Sequence, residues 1–159
     1  MMRVLLTSLG LLLTLIVSAP QALGFRCDVT TTALNFGGYD VFDNVVRDAT
    51  GTITITCNAP EQNPNAPIPV TVSLSPGGSG TFAQRQMQGP SGSTPLIYNL
   101  FTNASCSSIW GDGSGSSSVV SDNVTRANPL TATIYGRIPP RQNVSAGQYS
   151  DLITVTIQW

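Results

Sequence analysis

The chain has 159 residues, of which only 9% are charged; it contains no histidine and carries a formal net charge of −1. That length suits one domain of ordinary size. The charge balance excludes a broad basic surface for nucleic acid, and the missing histidine excludes Ser-His-Asp, Cys-His and His-ligated metal chemistry.

Residues 1–24 are expected to form a secretory signal peptide, with a single domain over 25–159. Arg3 supplies the leading charge, Val4 to Val17 forms the apolar run, and Ala22-Leu23-Gly24 places small residues for cleavage before Phe25. The run of about 14 residues is short of the roughly 20 that span a bilayer. The three cysteines therefore enter an oxidising compartment. Pairing Cys27 with Cys57 would close a loop of about 30 residues, worth roughly 3–4 kcal/mol. Cys106 is then left over, free or bonded to another chain, and pairings of Cys106 with Cys27 or Cys57 stay open. Zinc ligation fails for want of ligands at close spacing.

Alternation of apolar and polar residues dominates the rest. A weak first strand is expected over Val29 to Phe36. Gly51 to Cys57 places Ile53, Ile55 and Cys57 on one face and threonines on the other. Pro69 to Ser75 repeats the pattern with Val70, Val72 and Leu74. Further strands are expected over Pro95 to Phe101, Leu130 to Ile138 and Leu152 to Trp159. Between them lie turn signals such as Gly37-Gly38, Pro76-Gly77-Gly78 and the polar stretch Gly111 to Ser118. Short β-branched strands with this punctuation predict an all-β sandwich. Its most hydrophobic strand ends the chain, and an apolar strand in that place must be central or have its edge covered.

Several segments together carry a resemblance. They are Cys27-Asp28-Val29, Leu34-Asn35-Phe36-Gly37-Gly38-Tyr39-Asp40, Arg85-Gln86-Met87, Tyr98-Asn99-Leu100, Trp110-Gly111-Asp112-Gly113 and Tyr135-Gly136-Arg137. In this order they resemble the spore coat protein U domain family, which includes pilins of archaic chaperone–usher pili. The resemblance implies an immunoglobulin-like β-sandwich that is incomplete and is completed by a donated strand. It implies a periplasmic chaperone, an outer-membrane usher and other pilin or coat subunits as partners. The expected location is the cell surface, a pilus or a spore coat, reached through the periplasm. Val29 and Leu34 would then form one lip of the open groove, and Ile153, Val155, Ile157 and Trp159 the other. Only Phe25 and Arg26 precede Cys27 after the expected cleavage, and two residues reach about 7 Å. The subunit is thus expected to accept a strand and to donate none.

The expected function is structural, as a pilus or coat-like subunit, with an adhesive tip module as the alternative. The tip reading would place ligand contacts on loops such as Asn103 to Ser121. Asp112 is read as a turn residue, since calcium needs six to eight oxygen ligands. Arg137 is expected to bond loop carbonyls or an acid such as Asp151. No pair of the eight acidic residues stands in an obvious apolar pocket. No catalytic residue, cofactor, metal or nucleic-acid partner is expected.

Overall fold

The computed structural model describes residues 26–58, 63 and 65–159. The expected signal peptide lies outside the described residues. Among the described residues eight strands form two antiparallel sheets: β1 (Arg26–Thr32), β2 (Arg47–Asn58), β3 (Ile68–Leu74), β4 (Arg85–Met87), β5 (Leu96–Phe101), β6 (Val120–Val124), β7 (Leu130–Ile138) and β8 (Val155–Gln158). One sheet runs β1-β2-β7-β5-β4 and the other β6-β3-β8. No α-helix occurs among the described residues.

Alternation decides which face is buried. Ile53, Ile55 and Cys57 of β2 face Val70, Val72 and Leu74 of β3 in one core, all but closed to solvent. Threonines take the opposite face of β2. In the β1–β2–β7 ladder, Thr30, Thr54 and Thr131 stand in one row and Thr32, Thr52 and Thr133 in the next. Cys27 lies directly opposite Cys57 across β1 and β2, and the two are disulfide-bonded. Cys106 is a free thiol in the turn after β5.

Four strands depart from the sequence reading: β1, β4, β6 and β8, the last of which spans only Val155–Gln158 of the expected Leu152 to Trp159. The first strand runs over Arg26–Thr32 and not over Val29 to Phe36. Its continuation leaves the ladder because Leu34 and Phe36 drop onto Gly136, where a Cβ would lie 2.8 Å from each side chain. Gly51 is likewise bare beneath this crossing, with the Thr32 carbonyl 2.9 Å from where its Cβ would stand. The polar strands β4 and β6 carry little alternation of their own. β4 pairs with β5, and β6 pairs with β3.

Between the sheets sits a polar knot. Arg85 is completely buried. Its Nε and Nη2 donate to the Ser75 carbonyl at 3.1 and 2.9 Å, Nη1 to Asn99 Oδ1 at 2.8 Å, and Nη2 to the Trp110 carbonyl at 2.7 Å. Asn99 Nδ2 passes hydrogen bonds on to the Phe82 and Ala83 carbonyls, and Trp110 Nε1 donates to the Val72 carbonyl. Three of the recognisable motifs thus meet at one point. Burial disfavours the charged form of Arg85 and lowers its pKa. The hydrogen bonds compensate that cost.

Candidate functional site: an open cleft beside the last strand

β8 ends one sheet. It pairs with β3 on one side, from Leu74 opposite Val155 to Thr71 opposite Gln158, and among the described residues its other edge has no ladder partner. Beside that edge lies a cleft of roughly 1500 Å³. Leu74, Met87, Leu96, Tyr98, Leu100, Ile134 and Ile138 form its floor, so both sheets contribute. Ile153 and Val155 form one lip, and Leu34 and Phe36 the other. Val144 and Tyr149 also line the cleft.

The lips are held by specific bonds. Phe36 meets Tyr98 edge-to-face, with ring centroids 6.0 Å apart. Arg47 Nε donates to the Phe36 carbonyl at 2.9 Å. Tyr39 donates its hydroxyl hydrogen to the Pro139 carbonyl and accepts the Gln142 amide. At the other lip, Asp151 accepts the Tyr98 hydroxyl at 2.8 Å on Oδ2 and the Gly78 amide at 2.9 Å on Oδ1. Burial and this acceptor together push the Tyr98 phenol well above its ordinary pKa, so it stays a donor. The Thr154 carbonyl and amide bond Ser75, which carries the lip on from β8 toward Asp151.

The expected lip residues divide. Leu34, Ile153 and Val155 line the cleft together. Ile157 faces inward behind them and packs against the core. Val29 stands opposite Ile55 and so points to the inner side of β1, yet it is 41% exposed and does not line the cleft. Trp159 lies one residue past the β8 ladder, which ends at Gln158, and is 58% exposed. It too lies outside the cleft lining, because no paired strand supports it. Phe36, Tyr39, Met87 and Tyr98 also line the cleft, a placement that the alternation of their own segments does not reveal. The glycine pair Gly51 and Gly136 was the available signal, since a bare position in a strand marks a close approach.

Other candidates resolve into structure. Arg137 forms a two-pronged pair with Asp48, both contacts 2.7 Å, and not with Asp151. Asp48 faces Arg137 across β2 and β7, whereas Asp151 is already held by Tyr98 and Gly78. Asp112 Oδ1 accepts the Ser114 amide and hydroxyl, which makes it a turn residue. Trp110 is fully buried, so it presents no aromatic surface on its loop. Burial pushes the Cys106 thiol above its ordinary pKa. Among the described residues no group of three acidic or cysteine side chains is placed to hold a metal.

The architecture matches that of a solved chain. The CsuC–CsuE chaperone–tip adhesion subunit pre-assembly complex, from archaic chaperone–usher Csu pili of Acinetobacter baumannii, contains a chain that superposes with a TM-score of 0.57. The match is 24% identical and covers 85% of this chain but only 40% of that one, so the shared property is the fold. The Escherichia coli Hda pilus minor tip subunit is 17% identical, with a TM-score of 0.40 over 82% of this chain and 79% of its own. In sequence, the chain is 29% identical over 147 residues to Protein U of Myxococcus xanthus, which covers 84% of this chain and 78% of that protein. The Spore Coat Protein U domain model matches residues 13–156. The chain therefore belongs to the spore coat protein U domain family, whose members are structural and non-enzymatic.

Proposed function

We propose that this chain is a strand-accepting structural subunit of a chaperone–usher-assembled pilus or coat-like surface layer. The observation that carries the reading is the open apolar cleft beside the unpaired edge of β8. A sandwich core left open along a free edge is a site where a foreign strand adds, with main-chain hydrogen bonds for affinity and alternate side chains in the cleft. Half-buried Ile153, Val155 and Ile157 are the side chains such a strand would finish covering. Family membership and the likeness to a pilus subunit fold support the same reading. A periplasmic chaperone would hold the cleft first. Passage through an outer-membrane usher and replacement by another subunit would follow, placing the protein at the cell surface. With cleavage before Phe25, the two residues ahead of Cys27 are too few to fill a second cleft. The subunit then terminates a series of strand exchanges. The adhesive-tip alternative loses its loop aromatic, since Trp110 is in the core.

The test uses the mature protein secreted with and without a synthetic peptide of alternating valine and threonine. The expected result is weak protection of the β8 amides that point away from β3 and a low urea midpoint alone, both raised by the peptide. A free monomer in which the β8 amides pointing away from β3 are already protected would overturn the proposal. The mass of the mature chain checks the cleavage point.

A further inference from the structure

The β3–β8 ladder stops with Leu74 opposite Val155, yet its register continues by one more pair. The Ser75 amide donates to the Thr154 carbonyl at 2.9 Å. The return bond, from the Thr154 amide to the Ser75 carbonyl, is replaced, because Arg85 Nε and Nη2 already occupy that carbonyl. Ser75 Oγ accepts the Thr154 amide instead, at 2.9 Å. Asp151 acts alike one step further along the lip. Its Oδ1 accepts the Gly78 and Leu152 amides, each at 2.9 Å. A Cβ at Gly77 would collide with this carboxylate, so the glycine leaves it a seat. Beyond Asp151, Ser150 and Gln88 exchange main-chain bonds of 2.8 and 3.0 Å, which ties the chain to the continuation of β4 in the other sheet. Two side-chain oxygens thus replace ladder carbonyls over residues 151–154.

We infer that Ser75 and Asp151 are positioning residues that extend the strand-accepting edge beyond β8 to Ile153, so that an incoming strand bonds Ile153, Val155 and Ile157. The inference rests on the strand-accepting reading. In an antiparallel ladder, alternate residues turn their main-chain groups away from the partner. Ser75 and Thr154 are a bonded pair, so Val155 and Ile157 turn theirs to the free edge. Ile153 shares their parity: it packs against the core with them, while Leu152, Thr154 and Thr156 are exposed. Among the described residues no main-chain bond holds the Ile153 amide or carbonyl. From Ile153 to Ile157 the edge measures about 13 Å, against about 7 Å from Val155 to Ile157. Without Ser75 Oγ the Thr154 amide loses its acceptor, and the lip segment is free to leave β3. The occupant is an extended segment that donates amides to the Ile153, Val155 and Ile157 carbonyls from three alternating positions, none of which can be proline.

The experiment compares wild type, Ser75→Ala and Ser75→Thr with the alternating valine–threonine peptide, reading affinity by calorimetry and amide exchange residue by residue by NMR. Ser75→Ala deletes the hydroxyl and keeps the carbonyl that Arg85 holds. The expected wild-type result is that the peptide slows exchange at Ile153, Val155 and Ile157 together. Ser75→Ala should lose protection at Ile153, keep it at Ile157 and bind about tenfold more weakly, the worth of about two hydrogen bonds. Ser75→Thr should restore both. Affinity within about twofold of wild type, or Ile153 still protected in Ser75→Ala, overturns the inference and leaves the strand-accepting reading standing; so does failure of Ser75→Thr to restore. If Ser75→Ala does not accumulate, wild type decides: the Thr154 amide must be slow before peptide is added, and Ile153 must join Val155 and Ile157 after it. A peptide that protects only Val155 and Ile157 overturns the inference alone. A peptide that protects none of the three overturns both.

Discussion

Replacing Arg85 by methionine tests whether the polar knot holds the floor of the cleft. The methionine removes four hydrogen bonds and leaves three acceptors, of which Asn99 Oδ1 keeps the Leu100 amide at 2.9 Å. The Ser75 and Trp110 carbonyls each lose their guanidinium donor in the interior. A stranded buried acceptor costs about 1–3 kcal/mol, so the two together cost about 2–6 kcal/mol. Contact with the Phe82 ring, 5.4 Å from the guanidinium carbon, adds about 0.5–1 kcal/mol. Relief of burying a cation offsets part of this, leaving a net loss of about 3 kcal/mol. With a urea slope of about 2 kcal/mol/M, the midpoint should fall by about 1.5 M. Arg85→Lys should recover little of it, since one ammonium cannot fork to Ser75, Asn99 and Trp110. Equilibrium urea unfolding of the peptide-complemented protein, followed by the fluorescence of Trp110 and Trp159 together, is the assay. A midpoint for Arg85→Met within about 0.3 M of wild type would refute the reasoning.

Three further outcomes are expected. Replacing Cys27 and Cys57 together by serine should cost about 3–4 kcal/mol through the 30-residue separation they bridge. Reductant should lower the wild-type midpoint similarly and leave the double variant unmoved. The Arg137 hydrogen bond holds the Asp48 carboxyl below the usual carboxylate range, so its stabilisation is present above the unfolded pKa and is lost as pH falls through the folded one. Because both side chains are partly exposed, Asp48→Asn should cost less than about 1 kcal/mol at pH 7. The gap in melting temperature between the two proteins should close in acid, and a gap that widens there would contradict the pairing. Gly136→Val should push Leu34 and Phe36 off their seat, since even a Cβ meets each at 2.8 Å. Loss of about half the burial of these two side chains, about 2 kcal/mol, should weaken strand-peptide binding by about thirtyfold in calorimetry. Unchanged affinity would show that the lip does not shape the cleft.

The sandwich class, the buried faces of β2, β3, β5 and β7, and the inward direction of Ile153 and Val155 were legible because a strand's period of two writes its burial directly into the chain. β4 and β6 were not, because Arg85-Gln86-Met87 and Val120 to Val124 have no alternation that distinguishes them from loop. They become strands through partners far away in sequence. The motif residues Arg85, Asn99 and Trp110 were visible as a pattern, but their common purpose was not. A fully buried arginine becomes tolerable only when carbonyls from three separate segments converge on it, and convergence is a property of the packed chain.

Residues near one another along the chain settled local matters: which side chains share a face, where turns fall, and that the final strand carries more apolar surface than an edge should expose. Tertiary structure alone decided that β8 lies at an edge, that Leu34 and Phe36 leave β1 to seat on Gly136, and that Arg137 meets Asp48 and not Asp151. It also separated the lip residues that line the cleft from Val29 and Trp159, which do not. Periodicity specifies a direction for each side chain, whereas the cleft depends on which strands are neighbours and which edge is left without one.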